Sequence, residues 1–315
     1  MKISCFTAAV FFAGFFTGGA GPAFSQDTKP EDENAVNSKK NAARSMLDDS
    51  PVVFPEKGAL PSKYPTDVKT ERLVIKGDDG YSITTSPARS LKQIDAIQAE
   101  MPKGKYALPP TDWENLLRTK RVLTEGGDLH IVGLGDSIVN DIFRSAWLAK
   151  LAEAYPKANI RGNVYVRGGG GCRHYWKEER VPKYLVPLKP DLVFIGGISQ
   201  QKNYEAIRSV ITQIRKDLPE TEILLASGAF GGVDPRRPDA LANAQHSGTS
   251  DYGVELKKIA AEMDCAYLDM TKPWAEYIRS SGKHPHIFYR DRVHANAYGE
   301  QILSNILLSF FDVTR

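Results

Sequence analysis

From Asp128 to the end of the chain one pattern repeats: a short apolar run, then a stretch with helical spacing. The runs are Leu129–Leu134, Asn163–Val166, Asp191–Ile195, Glu222–Ala226 and Cys265–Leu268, and the helical stretches fall at Ile138–Glu153, Tyr204–Asp217, Tyr252–Met263 and Asn296–Phe311. Strands alternating with amphipathic helices predict an α/β fold, a parallel sheet covered on both faces. Ligands of such sheets bind beyond the carboxyl ends of the strands, so chemistry is to be sought in the residues that follow each run.

The residues before Asp128 have a different character. Lys2, the apolar stretch Phe6–Phe16 and the small-x-small triplet Ala23-Phe24-Ser25 make residues 1–25 read as a cleaved signal peptide, and the mature chain is expected to be secreted or periplasmic without a stable membrane anchor. Residues 26–49 are Asp, Glu, Lys, Asn, Ser and Ala with almost no large apolar group, a composition that reads as a disordered tether. Within residues 50–127, Arg72–Ile75 and Tyr81–Thr84 flank Gly77-Asp78-Asp79-Gly80 as a hairpin would, and Ser90–Glu100 has helical spacing. This segment is either a small accessory domain or an N-terminal extension laid on residues 128–315.

Charge narrows the partners. Lys and Arg number 41 against 38 Asp and Glu, a net charge of +3, which lacks the concentrated basic excess expected of a nucleic-acid-binding protein. The oligomeric state is not encoded in any pattern we read.

Two motifs carry chemistry. Gly135-Asp136-Ser137 follows the first run directly before a helical stretch. A serine at such a turn exposes its hydroxyl, and its N–H lies at the helix N-terminus where a developing oxyanion is stabilised; Asp and Ser are also simple helix caps. Asp291-Arg292-Val293-His294 stands just ahead of the final helical stretch. A serine hydroxyl is a weak nucleophile until a base takes its proton, and that base needs an orienting carboxylate, here three residues away. Ser137, His294 and Asp291 are therefore the candidate nucleophile, base and orienting group.

On these two motifs, over about residues 128–315, the chain resembles the SGNH (GDSL-type) hydrolase family. The resemblance implies a flavodoxin-like three-layer sandwich with a five-stranded parallel sheet in the order 2-1-3-4-5. It also implies an oxyanion hole completed after the second and third strands. The second block corresponds to Gly168-Gly169-Gly170-Gly171-Cys172, with Gly171 as the N–H donor beside that of Ser137. The third, Gly196-Gly197-Ile198-Ser199-Gln200, departs from the family pattern and puts Ser199 where an asparagine would fall, with Gln200 or Gln201 as alternative donors.

Asp136, Trp176, Gln200 and Arg236 are candidate substrate contacts, since aromatic faces and arginine forks suit sugar rings and their acidic groups. His284 and His286 lack a carboxylate or cysteine cluster, so no metal is expected, nor any cofactor. The resulting expectation is a serine esterase acting on a small-molecule or polysaccharide ester, first among them a carbohydrate O-acetyl ester. A polysaccharide O-acyltransferase and a non-catalytic carbohydrate-binding protein on the same fold are the alternatives. Cys172 follows the second run and Cys265 opens the fifth, so the implied strand order puts them on opposite edges and ends of the sheet as free, buried thiols.

Overall fold

The computed structural model describes residues 73–76, 82–85, 90–177, 179–197, 203–228, 234–236, 249–291 and 293–315. Leu73–Lys76 (β1) and Ser82–Thr85 (β2) pair antiparallel, with Leu73 opposite Thr85, one residue further along than the sequence pattern suggested. Five strands form the main sheet: Gly127–Gly135 (β3), Ala158–Val166 (β4), Leu192–Gly196 (β5), Glu222–Ala226 (β6) and Ala266–Leu268 (β7). All pair in parallel in the order β4-β3-β5-β6-β7, which is 2-1-3-4-5 within the sheet. The register aligns Gly135 with Val166 on one side and Gly196 on the other, so three strands end at one level.

Alternate residues of each strand feed separate cores on the two sheet faces. Leu129, Ile131, Leu192, Phe194 and Leu224 pack with Ser137–Arg144 (α3), Trp147–Ala154 (α4), Thr271–Ser281 (α9) and Ala297–Phe310 (α10). Val132, Leu134, Val193, Ile195 and Ile223 pack with the short helices Cys172–Tyr175 (α5) and Arg180–Tyr184 (α6) and with Tyr204–Asp217 (α7) and Thr249–Glu262 (α8). Among the described residues no helix is long and apolar enough to cross a membrane.

The stretch Ile138–Glu153, continuous by spacing, is two helices. Ala146 breaks it in a left-handed conformation (φ 56°), and the Ser145 hydroxyl donates back to the Ile142 carbonyl. The Ser145 carbonyl left over at the break accepts from Gln301 Nε2 of α10 at 3.3 Å. Helix α9 has no counterpart in the sequence reading, although Pro273 in its first turn and Gly282 (φ 64°) after its end are helix start and stop signals.

Residues 90–127 pack on the same core. Ser90 caps Leu91–Glu100 (α1) with a capping box, and Ile94 and Ile97 of that helix are buried. Tyr106 Oη pairs with Ser309 Oγ at 3.1 Å, and the Trp113 ring lies against Phe311. Leu117–Glu125 (α2) begins on the Glu222 carboxylate of β6, which accepts from the N–H groups of Arg118 (2.6 Å) and Thr119 (2.9 Å).

Candidate active site

The turn after β3 is built around Asp136. Its carboxylate is fully buried, accepts the Ile138 N–H at 2.8 Å and so caps α3. Gly197, just past β5, closes over that carboxylate with φ 114°; a side chain there would overlap it. Asp136 is thus corrected from a substrate contact to the group that shapes the serine turn, because a side chain without exposed surface cannot meet a ligand. Ser137 stands partly exposed at the first position of α3, where its N–H has no carbonyl one turn earlier to bond within the helix.

The His294 loop meets this turn from the other end of the chain. Tyr289 and Ala295 bridge as an isolated antiparallel pair and the Arg290 N–H donates to the His294 carbonyl at 3.0 Å, which ties together the two arms that carry Asp291 and His294. Asp291 Oδ1 accepts the N–H groups of Val293 and His294, each at 2.8 Å. The His294 ring has Nδ1 at 2.8 Å from Asp291 Oδ2 and Nε2 at 2.7 Å from Ser137 Oγ. The two motifs, separated by 157 positions, thereby form one hydrogen-bonded chain of carboxylate, imidazole and hydroxyl. Burial alone would raise the Asp291 carboxyl; the Val293 and His294 N–H groups, then the imidazole, outweigh it and hold the group below the usual carboxylate range.

Behind this chain lies a charged cluster that the motifs did not announce. Arg290 Nη1 is 2.8 Å from Asp141 Oδ1 and 3.9 Å from Glu300 Oε1, and Arg144 Nε is 3.6 Å from the same Glu300 oxygen. Asp141 lies one helical turn after Ser137 and is fully buried. Burial pushes its carboxyl up to about 6, with the Glu300 charge adding to the rise and Arg290 and His294 opposing it. The loop is fixed on its other side by Tyr289, which is fully buried and accepts the Trp274 indole N–H at 3.0 Å, the two rings meeting edge to face.

The remaining expected residues lie as follows. Gly171 (φ 55°) is buried at the head of α5, on the loop that follows β4. Trp176 is half-buried against the α7 side of the sheet, where its carbonyl accepts from Gln213 and Lys177 Nζ sits 5.5 Å from its ring centroid. The Arg236 guanidinium is held by the neighbouring Asp234 carboxylate at 2.8 Å. Ser199, Gln200 and Gln201 lie outside the described residues. Among the described residues no group of three or more His, Cys, Asp and Glu side chains could hold a metal ion. Cys172 and Cys265 are buried and not joined in a disulfide.

The model of the GDSL-like lipase/acylhydrolase family matches residues 134–302, from the end of β3 to the helix after His294. The chain belongs to the GDSL-like lipase/acylhydrolase family. No curated protein matches it by sequence. Among solved structures, a two-domain esterase (CEX) active on acetylated mannans, co-crystallised with mannopentaose, superposes with a TM-score of 0.52 at 15% identity, covering 65% of this chain and 54% of that one. This GDSL-family chain therefore spans about half the length of that esterase. Axe2, an acetylxylan esterase from Geobacillus stearothermophilus solved as a catalytic mutant, aligns at 20% identity over 59% of this chain and 94% of its own, with a TM-score of 0.46.

Proposed function

We propose that the protein is a secreted serine esterase that removes O-acetyl groups from carbohydrate. The observation that carries this reading is the unbroken hydrogen-bonded chain from Asp291 through His294 to Ser137. In the proposed reaction His294 Nε2 takes the Ser137 proton as Oγ attacks the ester carbonyl, and Asp291 stabilises the imidazolium that results. The Ser137 N–H, joined by that of Gly171, holds the oxyanion. The imidazolium returns its proton to the departing sugar oxygen, leaving an acyl-serine. Water, activated by the same imidazole, then releases acetate and restores the hydroxyl. The carbohydrate substrate is supported by family membership together with the fold shared with an esterase active on acetylated mannans, and secretion by the signal-like residues 1–25.

The test is hydrolysis of p-nitrophenyl acetate and of acetylated oligosaccharides by the purified protein and by Ser137→Ala. The variant should lose at least a thousandfold in kcat with an unchanged thermal melting curve, because the removed hydroxyl sits on a partly exposed turn. Equal turnover in the variant would end the reading.

A further inference from the structure

Asp141 occupies a place on α3 where its neighbours in sequence are apolar. Ile138, Val139, Ile142 and Phe143 are buried in the core, and Asp141 is buried with them, without exposed surface. Taking a carboxylate out of water is costly, and a buried ion pair adds little stability beyond that of apolar side chains filling the same space. Its Oδ2 atom is buried with no hydrogen-bond partner among the described residues, so the ionised form is held through Oδ1 and Arg290. Stability alone does not account for a carboxyl at this position.

The surrounding geometry shows where its charge acts. Arg290 directly precedes Asp291; its backbone N–H donates to the His294 carbonyl at 3.0 Å and its Nη1 to the Ala295 carbonyl at 3.1 Å, while the same Nη1 meets Asp141 Oδ1 at 2.8 Å. Asp141 lies one helical turn from Ser137, whose Oγ meets His294 Nε2 at 2.7 Å. Ser137, Asp141, Arg290 and His294 therefore form a closed ring of contacts, in which the ion pair is the link between helix and loop. Facing Asp141 are Arg290 and His294 from the loop and Glu300 from α10, and Arg144 of α3 in turn faces Glu300. Burial and the Glu300 charge favour the neutral carboxyl, Arg290 and His294 the ionised one, and the balance falls at about 6.

We infer that Asp141 is a positioning residue of the esterase reaction: as a carboxylate it anchors Arg290, and through Arg290 it holds the His294 imidazole on Ser137, so that turnover requires Asp141 ionised as well as His294 neutral. The inference rests on the esterase reading for its effect on rate, while the coupling between Asp141 and the imidazole stands apart from it.

Hydrolysis of p-nitrophenyl acetate from pH 5 to 8 by wild type and by Asp141→Asn tests it, since asparagine fills the same space and cannot ionise. At pH 8 the wild type should exceed the variant in kcat by about tenfold or more with little change in KM, and the ratio should fall toward one by pH 5, where the wild-type carboxyl is itself protonated. A ratio that stays the same at every pH marks a structural role alone and overturns the inference, as does equal turnover at pH 8 or a loss confined to KM. If Asp141→Asn does not fold, the wild type decides: an acid limb of kcat steeper than one proton supports the inference, and a one-proton limb overturns it. If no ester is hydrolysed at all, the esterase reading fails, and NMR titration of the His294 imidazole, assigned by its loss in His294→Asn, decides the coupling alone. A second inflection in the wild type that is absent from Asp141→Asn supports it, and the same titration curve in both refutes it.

Discussion

Arg290 Nη1 stands 2.8 Å from Asp141 Oδ1, and this ion pair ties the loop that carries Asp291 and His294 to the helix that Ser137 begins. The same guanidinium nitrogen donates to the Ala295 carbonyl at 3.1 Å, so one side chain braces both flanks of the loop. Losing Arg290 leaves the fully buried Asp141 without its ion-pair partner. Arg290→Met should therefore destabilise the protein by about 3 kcal/mol in urea unfolding and lower esterase kcat at least tenfold. Adding Asp141→Asn should restore part of the stability, because the nearer of the two carboxylates that face Arg290 then carries no charge.

Gly197→Ala tests how the serine turn is held. With φ at 114° and the Asp136 carboxylate where its Cβ would stand, an added methyl is strained in its backbone and has no room. We expect a loss of about 2 kcal/mol or more in stability and a drop in kcat larger than any change in KM. A variant as stable and as active as wild type would show that the turn is not fixed by this contact.

The two carboxylates near His294 should give opposite pH signatures. Asp291 lies below its ordinary value, so its contribution to stability is present above the unfolded carboxylate range and is lost as pH falls through the folded value. Asp141, raised to about 6, behaves in reverse: its contribution is full below the unfolded value and is lost as pH rises toward 6. Urea unfolding from pH 3 to 7 should show the stability of Asp141→Asn relative to wild type rising between about pH 4 and 6. That of Asp291→Asn should fall as pH rises through the acid carboxylate range. Parallel slopes would contradict the assignment.

Cys172 and Cys265 should be inert in the native protein. Burial pushes the Cys172 thiol up to about 12, with the Asp136 charge adding to it, and the Cys265 thiol up to about 11. The thiolate is the reactive form, so little is available. The strands nearest them, β4 and β7, are the two sheet edges, about 19 Å apart at ordinary strand spacing and far beyond disulfide reach. Ellman's reagent should label neither under native conditions and both after denaturation without reductant.

Much of the sheet was legible because most strands are local apolar runs and most of the helices that cover them have a local periodicity; α7 and β6 fall where the pattern put them, whereas the polar first half of β4 and the whole of α9 carried no such signal. Ser137, Asp291 and His294 could be read because the family motifs keep the nucleophile and the Asp–His pair in short strings. What escaped depends on contacts distant in sequence. Asp136 looked like a ligand group because nothing local reveals that Gly197 covers it. Asp141 and Arg290 belong to different motifs and acquire their relation only when α3 meets the final loop. The break at Ala146 is likewise hidden, since alanine favours a helix and the Gln301 side chain that takes up the Ser145 carbonyl comes from α10, 156 positions away.

The contact between Trp274 and Tyr289 gives the site an optical consequence. Tyr289 directly precedes Arg290, and its hydroxyl oxygen receives the indole N–H inside a buried edge-to-face pair. An aromatic pair held at one angle in a chiral interior produces a near-ultraviolet dichroic band, and excitation of the phenol passes to the indole. The loop that orients the imidazole thus carries its own chromophore, and the progress of its detachment from the body of the protein can be followed in the unlabelled molecule.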